Sequence, residues 1–146
     1  MYSPATQQQL TERINKLKPD TQRLWGTMDV AQMMAHCVVG VEMALSDIPL
    51  KRNFISYLFG KMAKKSIWSE KPFRRNLPTA PTFVIVGERQ FEQEKQNLTQ
   101  AIAKLSKEPE SALAKRTHPF FGQMSGKDWD MLMYRHLDHH LSQFGV

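Results

Sequence analysis

Apolar positions along this chain recur mostly at three- and four-residue intervals, the period of a helix with one buried face. Leu10, Ile14 and Leu17 repeat in this way behind Ser3-Pro4, an N-cap followed by proline at the first helical position, and Pro19 closes the run. A short helical turn is expected over Asp20 to Trp25, stopped by Gly26. Thr27 then reads as the N-cap of a long second helix reaching Leu45, with Val30, Met33, Met34, Cys37, Val41 and Leu45 in its apolar sector. Residues 46–52 carry Ser, Asp and Pro and break the pattern. An aromatic-rich helical segment follows over 53–67, with Phe54, Tyr57, Leu58 and Met62.

Pro72, Pro78 and Pro81 make 69–82 an extended connection. Phe83 to Val86 is expected to stay extended and lead into a helix over 88–106, whose seam is Phe91, Leu98, Ile102 and Leu105. A second connection, 107–124, contains His118-Pro119-Phe120-Phe121-Gly122. Ser125 with Asp128 three residues on forms a capping box that opens a final helix ending near Phe144. Four long helices, an extra short one and long connections on both sides of the third long helix predict an all-α four-helix bundle. With 146 residues, the expectation is one domain over 1–146.

Composition changes this picture little. The hydrophobic share of 41% and charged share of 23% are those of a soluble globular protein. No run approaches the roughly 18 consecutive apolar residues of a membrane span, so no membrane partner is expected. MYSPATQQQL lacks the basic-then-apolar pattern of a secretory signal, and the single cysteine, Cys37, excludes an intrachain disulfide framework. Both point to a cytoplasmic protein. The net charge is +6, and part of it gathers in Lys61, Lys64, Lys65, Lys71, Arg74 and Arg75. Such a cluster is most simply solvated surface; it can also steer an anionic substrate or cofactor, or attract phosphates. No recognition helix, zinc finger or stacking platform supports nucleic acid as the partner.

Candidate chemistry lies in the histidines. His136 and His140 are four residues apart, which puts them about 40° from one another on one helix face. With His136 as origin, Trp129 falls at about 20°, Leu132 at about −40°, Met133 at about 60° and Gln143 at about −20°. The two imidazoles therefore lie in the apolar sector, where their nitrogens need partners. One divalent ion would satisfy both. His36, on the edge of the second helix's apolar sector, is the candidate for a third ligand. Gly40, one turn further along, removes a side chain beside it, either for close helix packing or to make room. Three histidines around zinc leave a fourth position for water or substrate, the catalytic arrangement, although nickel, iron or manganese also accept imidazole.

Cys37 is turned about 100° from His36 and reads as core packing. Glu94 reads as an exposed member of its helix, with a supporting base beside the site as the alternative. His139 is expected beside the site or on the surface, and His118 receives no role. Trp25, Trp68 and Trp129 are expected to anchor the core. A second apolar stripe, Tyr134, Leu137 and Leu141, either packs on a flanking helix or buries a dimer interface.

The pairing of WGTMDVAQMMAHC with HPFFGQMSGKDWDMLMYRHLDHHLSQFG resembles the DinB/YfiT-like superfamily over nearly the whole chain. The resemblance implies a four-helix bundle, often a homodimer, with a three-histidine divalent metal site. His36, His136, His140 and Gln143 fall on the matching positions, while Leu141-Ser142 stand where arginine-glycine is common. Some members are thiol S-transferases using small thiols such as bacillithiol, mycothiol or glutathione. The expected function is thus a metal-dependent transferase or hydrolase using zinc or nickel, with a small thiol as possible substrate. Its rival is a non-catalytic binding or stress-associated protein on the same scaffold.

Overall fold

The computed structural model describes residues 3–46 and 54–146, and three of its long helices start at a side chain that accepts from their free N–H groups. Helix α1, Pro4–Lys16, is capped by Ser3, whose Oγ accepts from the Thr6 amide, with proline in the first turn. Helix α2, Val30–Leu45, is capped by Asp29 and not by Thr27. The reason is reciprocity: Asp29 accepts from the Gln32 amide at 2.7 Å while the Gln32 side chain accepts from the Asp29 amide at 3.1 Å. The expected helical turn over Asp20 to Trp25 is absent. That stretch is irregular, with a turn at its start and a bend at its end, and Leu24 N–H ties it to the last helix by donating to the Gln143 carbonyl at 2.7 Å.

Most of the expected break at 46–52 lies outside the described residues. Helix α3, Phe54–Ala63, passes directly into a 3-10 turn, Lys64–Trp68. The proline-rich connection ends in a second 3-10 turn, Pro81–Phe83. Helix α4, Phe91–Leu105, begins three residues later than its sequence pattern suggests. The second connection is more structured than expected. It holds a one-turn helix α5, Glu110–Leu113, and a two-stranded antiparallel hairpin, β1 Thr117–His118 and β2 Gly122–Gln123. Such pieces are too short to leave a periodic pattern. Helix α6, Gly126–Gln143, carries both halves of the Ser125–Asp128 capping box.

Helices make up 61% of the described residues, so the fold is mainly α. Helices α2 and α4 pack on each other, and α1 and α6 each pack against members of that pair. Leu10 and Ile14, Met33 and Val41, Leu98 and Ile102, and Trp129 and Leu137 meet in one core. Leu137 and Leu141 are fully buried there, so the second stripe of α6 is consumed within the chain. Arg13 clamps α1 to α6, donating to Asp138 Oδ1 at 2.7 Å and to the Val146 carbonyl at 2.8 Å. Of the three tryptophans only Trp129 is a core anchor; Trp68 is half exposed, with its indole N–H donating to Asp128 Oδ1 at 2.8 Å. No helix among the described residues is long and apolar enough to cross a membrane.

Candidate metal centre

His36 from α2 and His136 and His140 from α6 meet at the α2–α6 contact. The ring centroids stand 5.0 Å apart for His36–His136 and 4.7 Å for each of the other two pairs. One nitrogen from each ring lies within 4.8 Å of the others, a donor set that could hold a metal ion. His36 Nε2 and His136 Nε2 are 3.1 Å apart. Tetrahedral ligands at about 2.0–2.1 Å from zinc sit roughly 3.3–3.4 Å from each other, so the His36–His136 pair would open by only a few tenths of an ångström to seat an ion.

Two of the rings are fixed from behind. His36 Nδ1–H donates to the Phe83 carbonyl at 3.0 Å. A carbonyl can only accept, so the proton sits on Nδ1 and the Nε2 lone pair faces the cluster. His140 Nδ1–H donates to Gln143 Oε1 at 2.9 Å, and the same amide donates through Nε2 to the Trp25 carbonyl at 2.7 Å. That second bond sets which end of the amide faces the histidine. Gly26 completes this chain of contacts. Its φ of 81° suits glycine, and a methyl there would collide with Gln143 Nε2.

His136 is held by packing instead. A Cβ at Gly40 would lie 3.0 Å from its Cε1 and 3.2 Å from its Nδ1, so the bare glycine makes the space the ring occupies. Its Nδ1 is buried with no hydrogen-bond partner among the described residues. With Nδ1 protonated, the His36 and His136 lone pairs oppose each other across 3.1 Å. With Nε2 protonated, that opposition becomes a hydrogen bond and Nδ1 is left as a buried, unsatisfied acceptor. A cation between the Nε2 atoms removes the opposition, and the donor chemistry therefore fits a metal.

Burial holds all three rings neutral, which is the form that ligates. It lowers the pKa of His36, partly offset by the Phe83 carbonyl, and takes His140 down to about 4, partly offset by Gln143. His136 is pushed well below the ordinary histidine value, first by burial and then by His140 and His36 beside it.

The remaining candidates fall elsewhere. His139 lies beside the site, its ring 5.1 Å from His140, 5.7 Å from Trp25 and 6.2 Å from Phe73. His118 organises the hairpin: its Nδ1 accepts the amides of Phe120 and Phe121 at 3.0 and 3.1 Å. Cys37 is buried against Met33, and burial pushes its thiol pKa up. Glu94 accepts from Asn97 one turn along its own helix. The basic cluster divides: Lys64 pairs with Asp128 at 3.2 Å, while Arg75 stacks 4.1 Å over Trp25, next to His139. Sequence reasoning missed Phe83 and Trp25 because they contribute backbone carbonyls, which residue type does not reveal.

The matching family is described as a protein of unknown function (DUF1569), over residues 5–145, and the chain belongs to that family. No curated protein and no solved structure matches it. The DinB/YfiT-like assignment is thereby corrected. Two histidines four apart with a glutamine three residues on are what one helix needs to present two nitrogens and tie one ring, so the pattern is not specific to one family. Leu141-Ser142 already departed from it.

Proposed function

We propose that this chain is a divalent-metal-dependent enzyme with His36, His136 and His140 as ligands, built on a single-domain four-helix bundle of α1, α2, α4 and α6. The observation that carries this reading is the convergence of three buried, neutral imidazoles, two of them oriented from behind by hydrogen bonds. Zinc and nickel both suit such a donor set. A divalent ion there supplies Lewis acidity, the means of activating a thiol or a water at neutral pH. The chain's own contribution is to aim the nitrogens, keep them unprotonated and limit the ion to three protein ligands. Arg75, stacked on Trp25 beside His139, places a positive charge close by and favours an anionic substrate. The lone buried Cys37 fits a reducing, cytoplasmic setting.

Elemental analysis of natively purified protein tests the reading. About one divalent ion per chain is expected, lost in His140→Ala. Absence of metal from both proteins, with folding unchanged, refutes it.

A further inference from the structure

Helix α3 is built inside out. Its buried residues, Ser56 and Gly60, lie about 40° apart and face the body of the protein. Phe54, Leu58 and Met62 lie about 120–160° from Ser56 and point away. Their exposures are 80%, 60% and 66%, and Ile55 and Tyr57 are exposed beside them at 59% and 66%. The helix rests on the 3-10 turn that follows it and on β2. Nothing among the described residues covers its apolar side, whereas a helix of a soluble domain ordinarily turns that side to the core.

Charge identifies what would cover it. Between residues 48 and 69 the chain holds five basic residues, Lys51, Arg52, Lys61, Lys64 and Lys65, and no acidic one. Lys61 lies about 140° from Ser56, between Tyr57 and Phe54 on the wheel, and both Lys61 and Lys65 are exposed. Lys64 is already paired with Asp128, and a second copy docked on this face would set the exposed Lys61 and Lys65 of one chain against those of the other. The exposed apolar arc, from Tyr57 round to Phe59, spans about 200° of the helix, much wider than the stripe of about 100° that a partner helix covers. A surface that surrounds the helix on its outer side, and is both apolar and negatively charged, answers both features.

We propose that α3 docks the protein onto an anionic lipid bilayer surface. Phe54, Leu58 and Met62 enter the boundary between headgroups and acyl chains, and the Lys61 and Lys65 ammonium groups stay at the phosphates. This is surface attachment, not spanning, and it is independent of whether the histidine cluster holds a metal.

Co-sedimentation of the full chain with vesicles tests it. Partition onto phosphatidylcholine vesicles containing roughly 30% phosphatidylglycerol is expected to exceed that onto phosphatidylcholine alone by roughly thirtyfold, the worth of two lysines near a charged leaflet. The excess should fall as salt is raised. Leu58→Glu with Met62→Glu should abolish binding and leave the circular dichroism unchanged, since both residues are exposed. Lys61→Glu should weaken binding and flatten the salt dependence, and it serves as the variant if the double change unfolds the chain. Equal partition onto both vesicles, or none onto either, overturns the proposal. So does a dimer in light scattering that Leu58→Glu splits while vesicles remain unbound.

Discussion

Gly40→Ala separates the proposed metal centre from the stability of the fold. The added methyl would stand 3.0 Å from His136 Cε1 and 3.2 Å from its Nδ1, inside ordinary van der Waals contact. The imidazole must retreat by a few tenths of an ångström, and its Nε2 is the atom that faces His36 at 3.1 Å. Two effects oppose each other in the metal-free protein. Alanine in a helix interior is worth about 0.8–1 kcal/mol over glycine, while overpacking against a held ring costs about 1–3 kcal/mol. The net change should be a loss of no more than about 2 kcal/mol. Metal affinity has no such compensation. Displacing one ligand ring should cost roughly tenfold to a hundredfold in affinity, the scale of losing a ligand's supporting contact. The assay is competition for zinc against a chromogenic chelator, run beside denaturant unfolding of the chelated protein. Wild-type affinity together with raised stability would refute the reasoning, because it would mean His136 is not held against α2 at Gly40.

Further outcomes follow from the same contacts. Gln143→Leu removes the acceptor for His140 Nδ1–H and the donor to the Trp25 carbonyl, so zinc affinity in the same competition should fall roughly tenfold to a hundredfold; no change would mean that amide does not orient the ring. Gly26→Ala should lower unfolding free energy by about 1–3 kcal/mol, since it combines a positive φ with a collision at Gln143 Nε2, and a neutral result in urea titration would contradict it. Lowering pH should destabilise the chelated protein between the ordinary histidine value of 6.5 and about 4. In that window the unfolded chain takes up protons that the buried rings refuse, so stability is full above 6.5 and is lost as pH falls. His140 alone accounts for about 3 kcal/mol, with His36 and His136 moving in the same direction, and a flat stability profile between pH 7.5 and 4.5 would refute it.

Much of the helical framework follows from local rules. The apolar period places α1, α2, α4 and α6 within a few residues, and Ser3 and Ser125 announce two of the caps. Asp29 was also legible, because Asp-x-x-Gln is a capping box, but Thr27 two positions earlier is also an acceptable cap residue and competes with it. Helix α3 shows where periodicity stops informing. A wheel tells which residues share a face, not which face turns inward, and here Ser56 and Gly60 turn inward while the phenylalanines do not. The short pieces α5, β1 and β2 rest on neighbours, with too few residues for any period to show.

By itself the sequence determined that His136 and His140 share one helical face, because helix geometry depends only on spacing along the chain. Tertiary structure decided the rest of the centre. It brought His36 to within 3.1 Å of a ring 100 residues away, supplied the Phe83 and Trp25 carbonyls, and put Gly40 where His136 needed room. Those contacts depend on how α2 packs against α6 and where the connections cross them. Packing is a property of the whole core, and no stretch of residues carries it alone.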